Sequence, residues 1–566
     1  MKRDLNELAR RNFDLLIVGS GIYGACIAWE ASLRGLAVAI IDKNDFGAAT
    51  SANSLKIIHG GLRYLQSADL RRMRQSIAER RTLLQIAPHL VHPLPVLVPT
   101  YGSGMKSKAV MRLALKINDL VSCDRNRPLA DTQKHIPAGQ PLTRDDIQAL
   151  IPGLSTAELT GGVLFHDAQV YNSERLTLAF VKSAVERGAI AANYVAMTGI
   201  LQSQGRAIGA QVRDALTGSE FDIHAQVVVN TSGPWMNTLA ARLGDKAASL
   251  NVPLAKAVNL VTRPLFEHSY AVGLSSRAEP AKPGKPAQKG GRLFFIAPWR
   301  GKSMVGTQYA PYEGSPDDLS VSEAEIAGFI QDVNQAYPAA RLQIEDVSFV
   351  HRGLLPRSGV SQTGDVKLTK QYQLHDHRRD GLAGVLSVVG VKYTTARGVA
   401  AKAVEWVLQT VDKWPRSTAR PNLSPLAGGA IDRFQSFHQE ALNTYGTVLP
   451  KGSISRLVYN YGSAYPEVLA YLGRDWVRTQ TRWDDLAVYQ AEVKYAVQQE
   501  MAQTLSDFMF RRGEVGTAES PDAQKIDACA AVMREELGWD SLRTRREVET
   551  VRDRYKIGSV QYCEAR

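Results

Sequence analysis

Cysteine is scarce in this chain of 566 residues: only Cys26, Cys123, Cys529 and Cys563 occur, and no two form a C-x-x-C pair. A disulfide framework is therefore not expected, and with no histidine cluster read at ligand spacing, neither is a zinc site or any other metal. Long hydrophobic runs are missing too. Nothing approaches the ~18 apolar residues of a membrane-spanning helix, and the opening Met1-Lys2-Arg3-Asp4-Leu5 is too polar for a secretory signal, so a cytoplasmic location is expected. Acidic residues are in deficit, 56 against 68 Lys and Arg, for a net charge of +12. Such an excess suits nucleic acid, anionic lipid or anionic substrates. The basic residues are scattered, however, and the densest groups, Arg71-Arg72-Met73-Arg74 and Glu79-Arg80-Arg81, have the spacing of a solvated helix face. Nucleic acid is accordingly not an expected partner. The hydrophobic content of 44 % describes an ordered globular chain, and its length exceeds one core, so two or three domains are expected.

What is present begins at Phe13. An apolar run, Leu15-Leu16-Ile17-Val18, leads into Gly19-Ser20-Gly21-Ile22-Tyr23-Gly24. A helical stretch to Arg34-Gly35 follows, then a second apolar run from Ala37 to Ile41 that ends at Asp42. This is the layout of a dinucleotide-binding unit: Gly19 permits the tight turn, Gly21 lets the backbone approach a pyrophosphate, and Gly24 lets the helix pack on the strands. The helix N-terminus offers N–H groups to the phosphates. Asp42 is placed to accept ribose hydroxyls, which favours FAD or NAD over a phosphorylated ribose. The segment after the acid, Lys43 to Leu65, is long and rich in small and hydroxyl residues, suited to wrapping an extended cofactor.

Within that segment, Thr50 to Leu65 with its I-H-G-G-L-R-Y-L core closely resembles the flavin-dependent glycerol-3-phosphate dehydrogenases of the D-amino-acid-oxidase-like superfamily. The likeness continues through Arg175-Leu176-Thr177-Leu178, Asn230-Thr231-Ser232-Gly233-Pro234-Trp235, Gly306-Thr307, Lys392-Tyr393-Thr394-Thr395 and Ala491-Glu492-Val493-Lys494-Tyr495. The resemblance implies an α/β (α+β) architecture: a Rossmann-like FAD-binding domain interleaved with an antiparallel-sheet substrate cap, plus a C-terminal helical domain. The expected FAD-binding segments are about 13–90, 175–240 and 350–410, and the cap about 91–174 and 241–349. Prolines mark a linker over 413–429, and 430–566 reads as the helical domain.

The resemblance also implies FAD as cofactor, with hydride passing from a substrate C–H to flavin N5 and electrons leaving to quinone or oxygen. Cofactor contacts are expected from Gly19, Gly21, Gly24, Asp42, Thr50, Ser51, Lys56, His59, Ser232, Gly233, Gly390, Lys392 and Thr394. Carried over by motif, Arg63 and Tyr64 face the substrate, Lys392 is the active-site lysine, Lys370 stands where an arginine is usual, and Thr307 lies in the matching cap strand. His59 is either the proton acceptor or a cofactor contact. The family's G-x-R-P reads here Gly353-Leu354-Leu355-Pro356, which loses a phosphate-binding arginine, and its cap-strand histidine is Asn259. The threonine and aspartate usual after Gly306-Thr307 are Gln308-Tyr309. Arg352 and Arg357 flank the altered motif and are candidates to compensate.

Four readings follow: a flavin dehydrogenase of this type with an altered hydroxylated, phosphorylated or unphosphorylated substrate; a true glycerol-3-phosphate dehydrogenase that relies on Arg352; an amine or amino-acid oxidase in which Arg63 clamps a carboxylate; and a weakly catalytic flavin-binding paralogue. A homodimer is compatible with all four. The stretch Met105 to Ile117 mixes apolar and basic residues at helical period, and Pro283 to Lys289 is rich in proline and lysine. Each suits either docking on the anionic inner face of a cell membrane or an ordinary solvated surface.

Overall fold

The computed structural model describes residues 1–102, 108–243, 250–275, 293–362, 364–414, 423–473 and 482–559. Pro283 to Lys289, Lys106 and residues 415–422 of the expected linker lie outside the described residues, as do the side chains of Arg63 and Lys108.

The strand Phe13–Val18 is buried at every position because it is the centre of a parallel sheet covered on both faces. Its neighbours are Val38–Ile41 on one side and Glu220–Asn230 on the other, the second in a register that pairs Leu15 with Val227 and Val18 with Asn230. Val385–Val389 pairs in parallel beyond Glu220–Asn230, Ile190–Ala192 beyond Val38–Ile41, and the antiparallel Gln373–Asp376 closes one edge. Three distant chain segments thus meet in one sheet. The helix Ile22–Leu33 is buried almost throughout, since it is wedged between this sheet and the helices Ser173–Val185 and Ala396–Thr410. Its Trp29 meets Phe180 edge-on at 5.5 Å.

A second, mostly antiparallel sheet runs in the order Val366–Leu368, Val347–Val360, Leu254–Thr262, Lys302–Tyr312, Leu293–Trp299, Ala271–Ser275, Val91–Tyr101, Leu159–Val170, Ile57–Ile58. The strand Val347–Val360 belongs here, so the chain's last return to the first sheet begins at Gln373 and not near 350. One face of this sheet packs on the helix Glu323–Ala336 through Val258, Leu260, Phe294 and Phe329.

The remainder is helical, from Phe434–Tyr445 to Ser541–Asp553. The helix Asp485–Glu500 stops where Met501 turns left-handed (φ 55°), and a short helix resumes at Leu505. Buried ion pairs join these helices to the rest. Arg175 meets Glu500 at 2.6 Å, and Arg511 meets Asp45 at 2.5 Å with Arg512 alongside. Among the described residues no helix is long and apolar enough to cross a membrane.

Candidate active site

The turn after the first strand is shaped by two contacts. Gly19 sits at φ +102°, and a Cβ on Gly24 would lie 1.9 Å from the Gly19 carbonyl oxygen, so neither position admits a side chain. Gly21 differs. A Cβ there would meet only the Ser51 hydroxyl, at 3.2 Å, because the residue faces a cavity of about 1780 Å³ lined by both sheets. Ser51 Oγ accepts from the Ile22 N–H at 2.9 Å, across the helix N-terminus. Asp42 accepts from the Ser20 N–H and hydroxyl, each at 2.7 Å, and from the Asn44 N–H at 3.0 Å. Burial pushes its carboxyl upward against these bonds. A glycine cradle at a helix N-terminus, an acid at the end of the next strand and a cavity larger than one small ligand fills are what a long dinucleotide requires. FAD therefore fits. Gly19, Gly21 and Asp42 would hold its adenosine and pyrophosphate end, and Thr50, Ser51, Ser232, Gly233, Gly390 and Thr394 also line the cavity.

The altered substrate motifs face the same space. Asn259 donates to the Asn53 carbonyl at 3.1 Å and accepts from the Thr307 hydroxyl at 2.7 Å, so the two cap residues lock each other. Leu355 also lines the cavity. Lys392 Nζ donates to the Tyr64 hydroxyl at 2.5 Å, and Lys370 is exposed on the same wall. His59, about half exposed, places Nδ1 3.0 Å from Asp167 Oδ2. Asp167 is itself held by the Gly60 N–H at 2.6 Å and by Arg80 at 2.9 Å.

Four expectations need correction. The Lys56 ammonium does not reach the cavity: it is fully buried, 2.6 Å from Glu174 and 3.1 Å from the Ser173 hydroxyl, because a left-handed backbone (φ 59°) turns it inward. Arg352 is likewise absent from the cavity wall. It pairs with Val258 on the face packed against the Glu323–Ala336 helix, and donates to Ser559 at 3.1 Å. Strand alternation explains this, since Gly353 and Leu355 point the other way. Arg357 is taken up by Glu313 and the Leu254 carbonyl. Gly24 serves helix packing and does not line the cavity.

Two features are not legible from the motifs. Tyr23 accepts from the Val391 and Lys392 N–H groups, both at 3.0 Å, and donates to the Lys392 carbonyl at 2.8 Å, which fixes the loop that carries Lys392. It occupies a variable position of the glycine motif, where no spacing rule points to it. At the far edge of the first sheet, His375, His377 and Asp380 converge with ligand atoms within 4.8 Å, a His-x-His spacing the reading passed over. Both imidazoles are bonded to Asp380 Oδ2, at 2.7 and 2.8 Å.

Comparison with known proteins agrees with this geometry. Residues 14–406 match the family model described as FAD dependent oxidoreductase, and residues 422–544 match the C-terminal domain of alpha-glycerophosphate oxidase. A glycerol-3-phosphate dehydrogenase of Synechocystis is 30 % identical over 573 residues, covering 99 % of this chain and 100 % of that protein. The chain belongs to the FAD-dependent glycerol-3-phosphate dehydrogenase family. A probable mitochondrial member from Caenorhabditis elegans is also 30 % identical, over 95 % of this chain and 73 % of that one. The fold matches the glycerol-3-phosphate dehydrogenase from Bacillus halodurans complexed with FAD, with a TM-score of 0.75 at 24 % identity over 99 % and 98 % of the two chains. The protein is an FAD-dependent oxidoreductase of this type.

Proposed function

We propose that the protein oxidises the secondary hydroxyl of a polyol phosphate of the glycerol 3-phosphate class and hands the electrons to a membrane quinone. The observation that carries the substrate half is the convergence, in one cavity, of the dinucleotide cradle with His59–Asp167 and Lys392–Tyr64. Bound FAD supplies the hydride acceptor. His59 supplies the base: its Nδ1–H donates a hydrogen bond to Asp167, which leaves the other ring nitrogen free to take the hydroxyl proton of the substrate. Asp167 positions the ring, and Arg80 keeps Asp167 in place.

The acceptor half rests on the rim of the cavity. The helix Lys108–Val121 exposes Val110, Leu113, Ile117 and Leu120, the last at 76 %, and Leu70 and Leu293 are exposed as well. Five of these six also line the cavity. Arg112 and Lys116 are exposed on the same helix. An apolar rim flanked by cations suits an anionic bilayer surface from which a lipid-soluble acceptor can reach the site.

Anaerobic bleaching of the flavin tests the substrate. Glycerol 3-phosphate or a longer polyol phosphate should reduce it within seconds, whereas glycerol, amino acids and amines should not. Bleaching by amines or amino acids alone would remove this reading in favour of an amine or amino-acid oxidase.

A further inference from the structure

The helix Leu70–Ile86 delivers to the cavity a guanidinium that helical spacing had assigned to solvent. Arg72 is the third residue of this helix, and the capping Asp69 accepts both its backbone N–H, at 3.0 Å, and its Nε, at 2.5 Å. The double hold folds the side chain over the helix end, leaving it about one-fifth exposed. The guanidinium carbon lies 5.2 Å from the centre of the Tyr64 ring, and Nη1 is 3.4 Å from the Lys370 carbonyl oxygen. Lys392 reaches the same ring from another part of the chain, with Nζ 4.5 Å from its centre. Two cations on one ring are therefore within about 10 Å of each other, and Lys370 lines the cavity with them.

Like charges collected on one wall favour an anion between them, and Asp69 answers only Arg72 directly. Bonds from Arg72 hold the Asp69 carboxyl below its usual range, and the nearby charge of Lys392 adds to the effect. Among the described residues no carboxylate forms an ion pair with Lys392 or Lys370. The strand that carries Leu355 contributes no charge to the cavity, since Arg352 and Arg357 are engaged elsewhere.

The geometry points to an anion site on this wall, in which Arg72, with Lys392, holds the phosphate of the substrate. The inference rests on the polyol-phosphate reading for the identity of the ligand, and on the positions of Arg72, Tyr64 and Lys392 for its location. A guanidinium fork matches phosphate oxygens, and its stacking on Tyr64 keeps the plane oriented while Nε stays with Asp69.

The test titrates the FAD-loaded enzyme with inorganic phosphate and with glycerol 3-phosphate, following the perturbation of the flavin absorbance. Arg72→Ala and Arg72→Gln should each weaken both anions tenfold to a hundredfold, the range of one charge-assisted bond, without loss of flavin or of melting temperature. Leu355→Arg in the Arg72→Ala background should recover much of the loss, because it returns a guanidinium to the same cavity. Phosphate affinity within twofold of wild type in both single variants overturns the site. If phosphate binds in an Arg72-dependent way but no polyol phosphate bleaches the flavin, the anion site stands and the substrate reading falls. If glycerol 3-phosphate bleaches the flavin equally well without Arg72, the reverse holds.

Discussion

Gly21 and Gly24, at the start of the first sheet's central helix, behave oppositely, and the difference is measurable. Gly24 has backbone within 1.9 Å of where its Cβ would stand, whereas Gly21 has only a serine hydroxyl at 3.2 Å. Gly21→Val should therefore fold normally yet purify colourless, its methyl groups filling the space where backbone N–H groups meet phosphate. Gly24→Val should yield little soluble protein at all. A yellow Gly21→Val protein with wild-type flavin content would show that the cofactor lies elsewhere. The same contrast explains why motif spacing succeeded here: glycine is required by backbone geometry, which sequence order encodes directly. Arg352 and Lys56 were misplaced for the complementary reason. Which way a long cation turns depends on strand alternation and local φ, and neither follows from a motif.

At the scale of elements, the helix Lys108–Val121 was readable as amphipathic from its period alone, but its placement was not. Only the packed structure sets its apolar stripe at the mouth of the cavity, beside Leu70 and Leu293. Liposome co-sedimentation follows from that placement. Binding to anionic vesicles should fall as salt rises, because screening weakens the attraction of Arg112 and Lys116 to the headgroups. Leu113→Glu with Leu120→Glu should lower it at least tenfold at any salt, since two exposed leucines supply much of the insertable area. These changes should leave reduction by substrate intact while slowing reoxidation by a quinone analogue. Unchanged sedimentation of the double variant would make the stripe an ordinary surface.

At the scale of the whole molecule, the helical C-terminal part is fastened by charge as well as by apolar packing. Asp45 follows Asp42 by three residues and lines the cavity, yet it is bonded to Arg511 and Arg512 from the far end of the chain. Burial alone would raise its carboxyl, but Arg512 and Arg511 outweigh burial and hold it below the ordinary range. Asp45→Asn takes the carboxylate partner from the buried Arg512, while Arg511 keeps Asp507, and should cost about 3–5 kcal/mol, seen as a lower melting temperature and weaker flavin retention. The sign with pH is set by the depressed carboxyl: its contribution is complete above the ordinary carboxylate range and is lost as pH falls through the lowered folded value. The gap in stability between wild type and Asp45→Asn should accordingly be constant near neutrality and narrow only in strong acid. A gap that closes between pH 8 and 6 would assign the effect to another group.

The chain's order of residues settled the cofactor class, the family and the presence of two sheets with a helical extension. Each of these depends on local patterns: buried strands read as apolar runs, tight turns as glycines, and motifs in fixed sequence. Tertiary structure alone decided which charges meet. Arg72 and Lys392 are 320 positions apart and share one tyrosine ring, and Asp45 waits for partners more than 460 residues away. Long-range electrostatic pairing has no period and no spacing in sequence, because it is fixed by which faces the packed elements turn toward one another.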